Sequence, residues 1–148
     1  MERRQVDSKL KIHTMNRKKY FRKEAEQFKI ILREKEPYLD PGFTRDDLCK
    51  ELNLSPMQFH SMVNRNFGMN YSKLMNKFRV EEAKKLLEKP DSREMKKASV
   101  AKMAGFGSLS QFNVHFKKMT GMTPTEYSIF YRRFKNLTGK SPDQFKKP

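Results

Sequence analysis

An all-α fold of two helix-turn-helix units joined by a long helix is predicted from three features of the 148-residue sequence. The first is an internal repeat. Residues 48–54 match 100–106 at an offset of 52, and Phe59, Val63 and Gly68 match Phe112, Phe116 and Gly121 at an offset of 53, so one small motif occurs twice. The second is the run between the copies, where Tyr71, Leu74, Met75, Phe78, Ala83, Leu86 and Leu87 keep helical period up to Lys89-Pro90. The third is a set of helix start and stop signals that bracket each expected helix.

The elements follow in chain order. Residues 1–19 carry Arg3, Arg4, Lys9, Lys11, Arg17, Lys18 and Lys19 with few apolar groups, too few to offset the entropy of ordering; they are expected to form a basic flexible arm. From Tyr20, Phe21, Ala25, Phe28, Ile31 and Leu32 recur at helical spacing, and Pro37 with Pro41-Gly42 closes that helix. Thr44 is an N-cap candidate with Asp46 and Asp47 in the first turn, where the helix dipole favours negative charge. Leu48, Leu52 and Leu54 supply the apolar side of this short helix, and a turn at Asn53-Leu54 leads to Ser55-Pro56, a second start signal. Asn70 is placed to cap the long helix, expected to run for about 18 to 20 residues, or roughly 27 to 30 Å at 1.5 Å per residue. Asp91 and Glu94 read as a capping box for the next helix, in which Met95, Ala98 and Ala101 lead to Gly105-Phe106. Four residues apart on one face, Phe112 and Phe116 anchor a helix whose other face holds Ser110, Gln111, Asn113, Val114 and Lys117.

Beyond Tyr127 the sequence copies itself again. Phe130, Phe134-Lys135, Thr138-Gly139, Pro142 and Phe145 repeat Phe112, Phe116-Lys117, Thr120-Gly121, Pro124 and Tyr127 at an offset of 18. Reaching Phe130 from Gly105-Phe106 would need a long loop, so this copy is expected to extend a final helix from 124 to about 135, followed by a loosely held basic tail. The resulting organisation is an arm at 1–19, a first unit with its linker helix at 20–89, a second unit at 90–127 and a basic extension at 128–148.

Composition narrows the function. Lys and Arg total 33 against 17 Asp and Glu, a formal charge of +16, which favours polyanionic partners. No apolar run approaches the length of a membrane span, and no apolar segment follows the basic N-terminal residues; a soluble, cytoplasmic protein is expected, with no membrane partner. Cys49 is the single cysteine, so neither an internal disulfide nor a multi-cysteine metal site is expected. His13, His60 and His115 have no carboxylate or thiol at ligand spacing, Gly105-Phe106-Gly107 lacks the strand and third glycine of a phosphate loop, and no nucleophile with base and orienting partner stands out. Neither a metal, a cofactor nor an enzymatic activity is therefore expected.

The stretch GFGSLSQFNVHFKKMTGMTPTEY at 105–127, with Val100-Ala101 before it, resembles the second helix-turn-helix of AraC-type (AraC/XylS) transcription regulators, whose hallmark runs Ile-Ala, Gly-Phe, Phe-Lys-Lys, Thr-Gly, Pro, Tyr. The resemblance covers about residues 20–127 and implies a DNA-binding domain of two homeodomain-like halves whose recognition helices enter adjacent major grooves. By motif position it implies base proximity for Met57, Gln58, His60 and Ser61 in the first copy and for Ser110, Gln111, Asn113 and Val114 in the second. Gln and Asn can pair bidentately with adenine, and Met or Val can touch a thymine methyl. Arg65, Lys117, Lys118 and the helix start at Asn70 suit phosphates, which fix register without reading sequence. Double-stranded DNA is the expected partner, RNA polymerase is the second candidate, and no small-molecule domain is visible. The same charge also fits a nonspecific nucleoid- or RNA-associated basic protein, and composition alone leaves both readings open.

Overall fold

The computed structural model describes residues 21–145; the expected arm at 1–19 lies outside them. Among the described residues the chain is helical throughout: α1 Arg22–Glu34, α2 Arg45–Glu51, α3 Pro56–Phe67, α4 Tyr71–Glu88, α5 Lys97–Met103, α6 Leu109–Thr120 and α7 Pro124–Thr138, with short 3-10 turns at Pro37–Leu39, Pro90–Arg93 and Pro142–Phe145. None of these helices is long and apolar enough to cross a membrane. They divide into two compact units, residues 21–37 with 42–74 and residues 38–41 with 75–145.

In the first unit, α1 buries Ala25, Phe28, Ile31 and Leu32, the face its spacing predicts. Phe28 meets Phe59 and Phe67 of α3 edge to face at centroid distances of 5.4 and 5.5 Å, an arrangement that aligns ring edge with ring face. α2 begins at Thr44, whose hydroxyl accepts from the Asp47 amide while the Asp47 carboxylate accepts from the Thr44 amide. The Thr44 hydroxyl and then the Thr44 amide, both donating to the Asp47 carboxylate, hold its carboxyl below the ordinary range. After α2, Asn53 adopts φ 53°, a left-handed turn that Asn tolerates better than most residues, and α3 starts at Ser55. Leu48, Cys49, Leu52, Leu54, Phe59, Met62 and Val63 complete the buried interior, and burial pushes the Cys49 thiol up.

Asn70 caps α4 as expected, its side-chain oxygen accepting from the Lys73 amide at 2.9 Å. The helix runs 18 residues, with its first turn in the first unit and the remainder in the second. Its second-unit part buries Met75, Val80, Ala83, Leu86 and Leu87. Against it stands the turn at 38–39: Tyr38 stacks on Phe78 at 5.1 Å, and its carbonyl accepts from Arg79 Nε at 2.8 Å.

The segment after α4 departs from the sequence expectation. Asp91 and Glu94 do not open a helix; residues Pro90–Arg93 form a 3-10 turn, and α5 begins only at Lys97 without a side-chain cap. The physical reason lies in Ser92, which is fully buried and donates its hydroxyl to the Leu87 carbonyl at 2.9 Å. Satisfying that orphaned carbonyl at the end of α4 turns the chain back before a new helix can start. α5 then contributes Val100, Ala101 and Ala104 to a core shared with Val80, Ala83, Leu86, Leu87, Phe106, Phe112 and Phe116.

Candidate nucleic-acid interface

The two copies of the motif fold alike down to their caps. Ser55 and Ser108 each accept from the backbone amide three residues on, Gln58 and Gln111. Gly68 and Gly121 end α3 and α6 in left-handed conformation at φ 67° and 77°, where glycine avoids the Cβ penalty. Next, Asn70 caps α4 and Thr123 caps α7. Phe59 and Phe112 are fully buried, as are Val63 and Phe116. Burying each of these side chains contributes about 1.5 to 3 kcal/mol, which fixes the roll of α3 and α6 and so decides which residues face outward.

In α6 the outward face is the expected one. Ser110, Gln111, Asn113, Val114, Lys117 and Lys118 are all exposed; Val114, at 61%, is an apolar side chain left in water on a helix whose phenylalanines are buried. Asn113, Val114, Lys117 and Lys118 line one concave patch together with Thr123, Pro124 and Thr125 at the start of α7. The sequence reading does not single out these last three as site residues. Their signal is present, since Thr123-Pro124 is the same start signal as Ser55-Pro56. What the sequence does not display is the left-handed turn at Gly121 that folds this start back beside Lys117.

In α3 the expected residues are less uniformly free. Met57 is 80% exposed and Arg65 is exposed. Gln58, however, is half-buried and its side-chain oxygen accepts from the Ser55 amide at 2.9 Å, which holds the side chain back against the cap. His60 is exposed with Nε2 within 2.8 Å of Asn64 Nδ2, and Ser61 is half-buried. Asn70 spends its side-chain oxygen on its own cap. A concave patch in the first unit gathers Asp46, Cys49, Lys50 and Ser55 and holds none of the expected contact residues.

Polar contacts pin α6 from behind. His115 lies stacked over Phe106 at 6.3 Å, and its Nε2 is 3.4 Å from Asn76 Nδ2 of α4. The Asn76 side-chain oxygen accepts from Arg79 at 3.1 Å, and Arg79 in turn holds Tyr38. Sequence reasoning has no way to pair residues 39 positions apart. From the C-terminal side, Tyr127 packs edge to face on Phe116 at 5.4 Å and donates its hydroxyl to Glu88 at 2.5 Å; burial first, then the Glu88 carboxylate, pushes the phenol well above its ordinary pKa.

The final helix matches the expectation and passes it. α7 runs through Thr138, and the residues after it fold back, with Phe145 edge to face on Phe134 at 5.1 Å. The helix end expected at about 135 is thus moved to Thr138, and a 3-10 turn at Pro142–Phe145 follows it. The reason is an aromatic contact between residues 11 apart, which no periodicity displays. Arg132 donates Nε to the Ser128 carbonyl at 3.2 Å and is half-buried.

Comparison with known proteins agrees with this architecture. A helix-turn-helix domain model matches residues 48–129. The raffinose operon transcriptional regulatory protein RafR of Pediococcus pentosaceus is 30% identical over 105 residues, which span 71% of this chain and 37% of that protein. The chain spans less than half the length of the curated relatives it matches. Among solved structures, the C-terminal domain of the two-component response regulator yesN from Fusobacterium nucleatum is 31% identical, with a TM-score of 0.60 over 69% of this chain and 98% of that one. The DNA-binding domain of the global transcriptional factor AdpA, solved in complex with a target DNA, superposes with a TM-score of 0.65 at 24% identity over 76% and 96%. With the family model covering more than half of its length, and with both motif copies folded as described, the chain belongs to the AraC-type helix-turn-helix family.

Proposed function

We propose that the protein is a sequence-specific DNA-binding transcription regulator that lays α3 and α6 into successive major grooves of one duplex. The observation that carries this reading is the paired construction of α3 and α6: each is seated by fully buried side chains and turns polar or cationic residues outward. In this reading Met57, Gln58, His60 and Ser61 of α3, with Ser110, Gln111, Asn113 and Val114 of α6, lie near base edges. Arg65, Lys117, Lys118 and the amides at the start of α4 take phosphates, and the start of α7 beside Lys117 joins them. The AdpA domain solved with DNA and the regulators among the relatives support the reading as a DNA-binding regulator. So does α4, since 18 residues at 1.5 Å each give about 27 Å, near the roughly 34 Å repeat between major grooves on one face of DNA.

Selection of bound sequences from a random duplex pool tests this directly. A regulator enriches one motif and binds it about 10³ to 10⁷ times more tightly than random DNA. Enrichment of no motif, with equal affinity for unrelated duplexes, would instead establish a nonspecific nucleoid- or RNA-associated protein.

A further inference from the structure

The C-terminal copy of the motif is mounted the wrong way round to read anything. At the offset of 18, Phe130 and Phe134 of α7 stand where Phe112 and Phe116 stand in α6, and the junctions that follow are the same in detail. Thr120 donates to the Phe116 carbonyl at 2.8 Å and accepts from the Met122 amide at 3.2 Å; Thr138 donates to the Phe134 carbonyl at 2.7 Å and accepts from the Lys140 amide at 3.2 Å. Yet the faces are exchanged. Ser128 and Tyr131, the counterparts of the outward Ser110 and Asn113, are buried at 2% and 7%, whereas Phe130, the counterpart of a fully buried phenylalanine, is 42% exposed. Phe130, Phe134 and Leu137 follow one another at i, i+4 and i+7 along one side of α7. Leu137 is 86% and Phe145 54% exposed, and the Phe130–Phe134 and Phe134–Phe145 ring pairs, at 5.8 and 5.1 Å, join them into a continuous apolar stripe.

We propose that this stripe of α7, bounded by Phe130, Phe134, Leu137 and Phe145, is a docking surface for an acidic amphipathic helix of another protein. The rim of the stripe selects the partner. On α7 Arg133 stands three residues after Phe130 and four before Leu137, which sets it along the edge of the stripe, and Lys140 Nζ lies 5.9 Å from the centre of the Phe145 ring. An apolar stripe rimmed by cations is complementary to a helix that carries leucine-type side chains on one face and carboxylates beside them. A second copy of this chain would bring the same cations together, and DNA alone would satisfy the cations while leaving the phenylalanines in water.

The full chain should be titrated into a fluorescently labelled synthetic peptide with leucines at i, i+4 and i+7 and glutamates at the flanking positions, with anisotropy as the readout. Saturable binding is expected. It should be lost for a scrambled peptide of the same composition and weakened at least about tenfold by Phe130→Ser or Leu137→Ser. Leu137 is 86% exposed, so Leu137→Ser should leave the melting temperature unchanged, and neither variant should change the selected DNA motif. Equal binding of the scrambled peptide would reduce the surface to a charge effect and overturn the proposal. Unchanged binding by both variants would overturn it as well. So would sedimentation showing the chain alone as a dimer that Phe130→Ser dissociates, because the occupant would then be a second copy.

Discussion

A side chain can face DNA only if another side chain on the same helix has been buried to turn it there, and in α6 that division is sharp: Phe112 and Phe116 are fully buried, Asn113 and Lys118 exposed. Under the proposed function, Asn113→Ala and Gln111→Ala each relax the preference at single base pairs by about 1 to 3 kcal/mol, while Lys118→Ala weakens all sequences alike. Site selection repeated with each variant checks the split; a changed motif from Lys118→Ala, with none from the other two, would reverse the roles. Tyr127 offers a test of packing instead. Folding keeps its phenol protonated, since burial and then the Glu88 carboxylate raise its pKa. Its contribution is therefore complete below the ordinary phenol value of 10.0 and declines as pH rises beyond it. Tyr127→Phe should lower stability at neutral pH by on the order of 1 kcal/mol, the usual net worth of one hydrogen bond. It should also flatten the alkaline fall in melting temperature above pH 10.0. An unchanged alkaline limb would mean that other groups govern it.

At the scale of elements, the turns decide the geometry, and two left-handed turns of the second unit are built differently. Gly105, at φ 85°, lies between α5 and α6, and a Cβ there would collide with the Tyr38 carbonyl oxygen and stand 2.9 Å from the Leu39 Cα. Gly121, at φ 77°, has open space around it. Gly121→Ala should therefore cost only the left-handed strain of about 1 to 2 kcal/mol. Gly105→Ala adds displacement of the 38–39 turn to the same strain, and its loss in denaturant titration should be clearly larger. Equal losses would show that this turn yields freely. Further along, the burial of Lys97 and then the nearby Arg132 charge hold its ammonium below the ordinary lysine range, so the start of α5 gains nothing from that cation. Its register rests on Val100, Ala101 and Ala104 in the core.

For the molecule as a whole, the two copies of the motif differ in their outward residues, so under the proposed function the site is asymmetric. Under the proposed function, footprinting on the selected duplex should show two protected patches about one helical turn apart. A single short patch on every selected sequence would mean that only one unit engages. The charge of +16 sets the second expectation: the logarithm of affinity should fall with the logarithm of salt at a slope near −0.9 per phosphate neutralised. Cutting the chain after Gly139 removes Lys140 and the cations beyond it. The slope should become shallower by about 0.9 for each phosphate that these cations neutralise, with the preferred motif unchanged. A cut that selects another motif would show that residues beyond Gly139 take part in reading sequence.

The sequence by itself determined the helices that begin at a Thr, Ser or Asn cap, because a cap acts within four residues. Thr44, Ser55, Asn70 and Thr123 cap as their types dictate, and Phe28, Phe59, Phe112 and Phe116 are buried as their period requires. The two helix-turn-helix units were legible for the same reason, since a repeat of capped helices is written in order along the chain. Only the tertiary structure decided what depends on residues far apart in sequence or on which neighbour a segment meets. Ser92 reached back to Leu87 and cancelled the helix start at Asp91; Tyr38 joined the second unit through Arg79 and the space that Gly105 leaves. In α7 the motif's side-chain pattern was copied, but burial of Ser128 and Tyr131 chose the opposite face. A local pattern specifies that a helix forms and which residues share its sides, and the neighbours it packs against decide which side is turned to water.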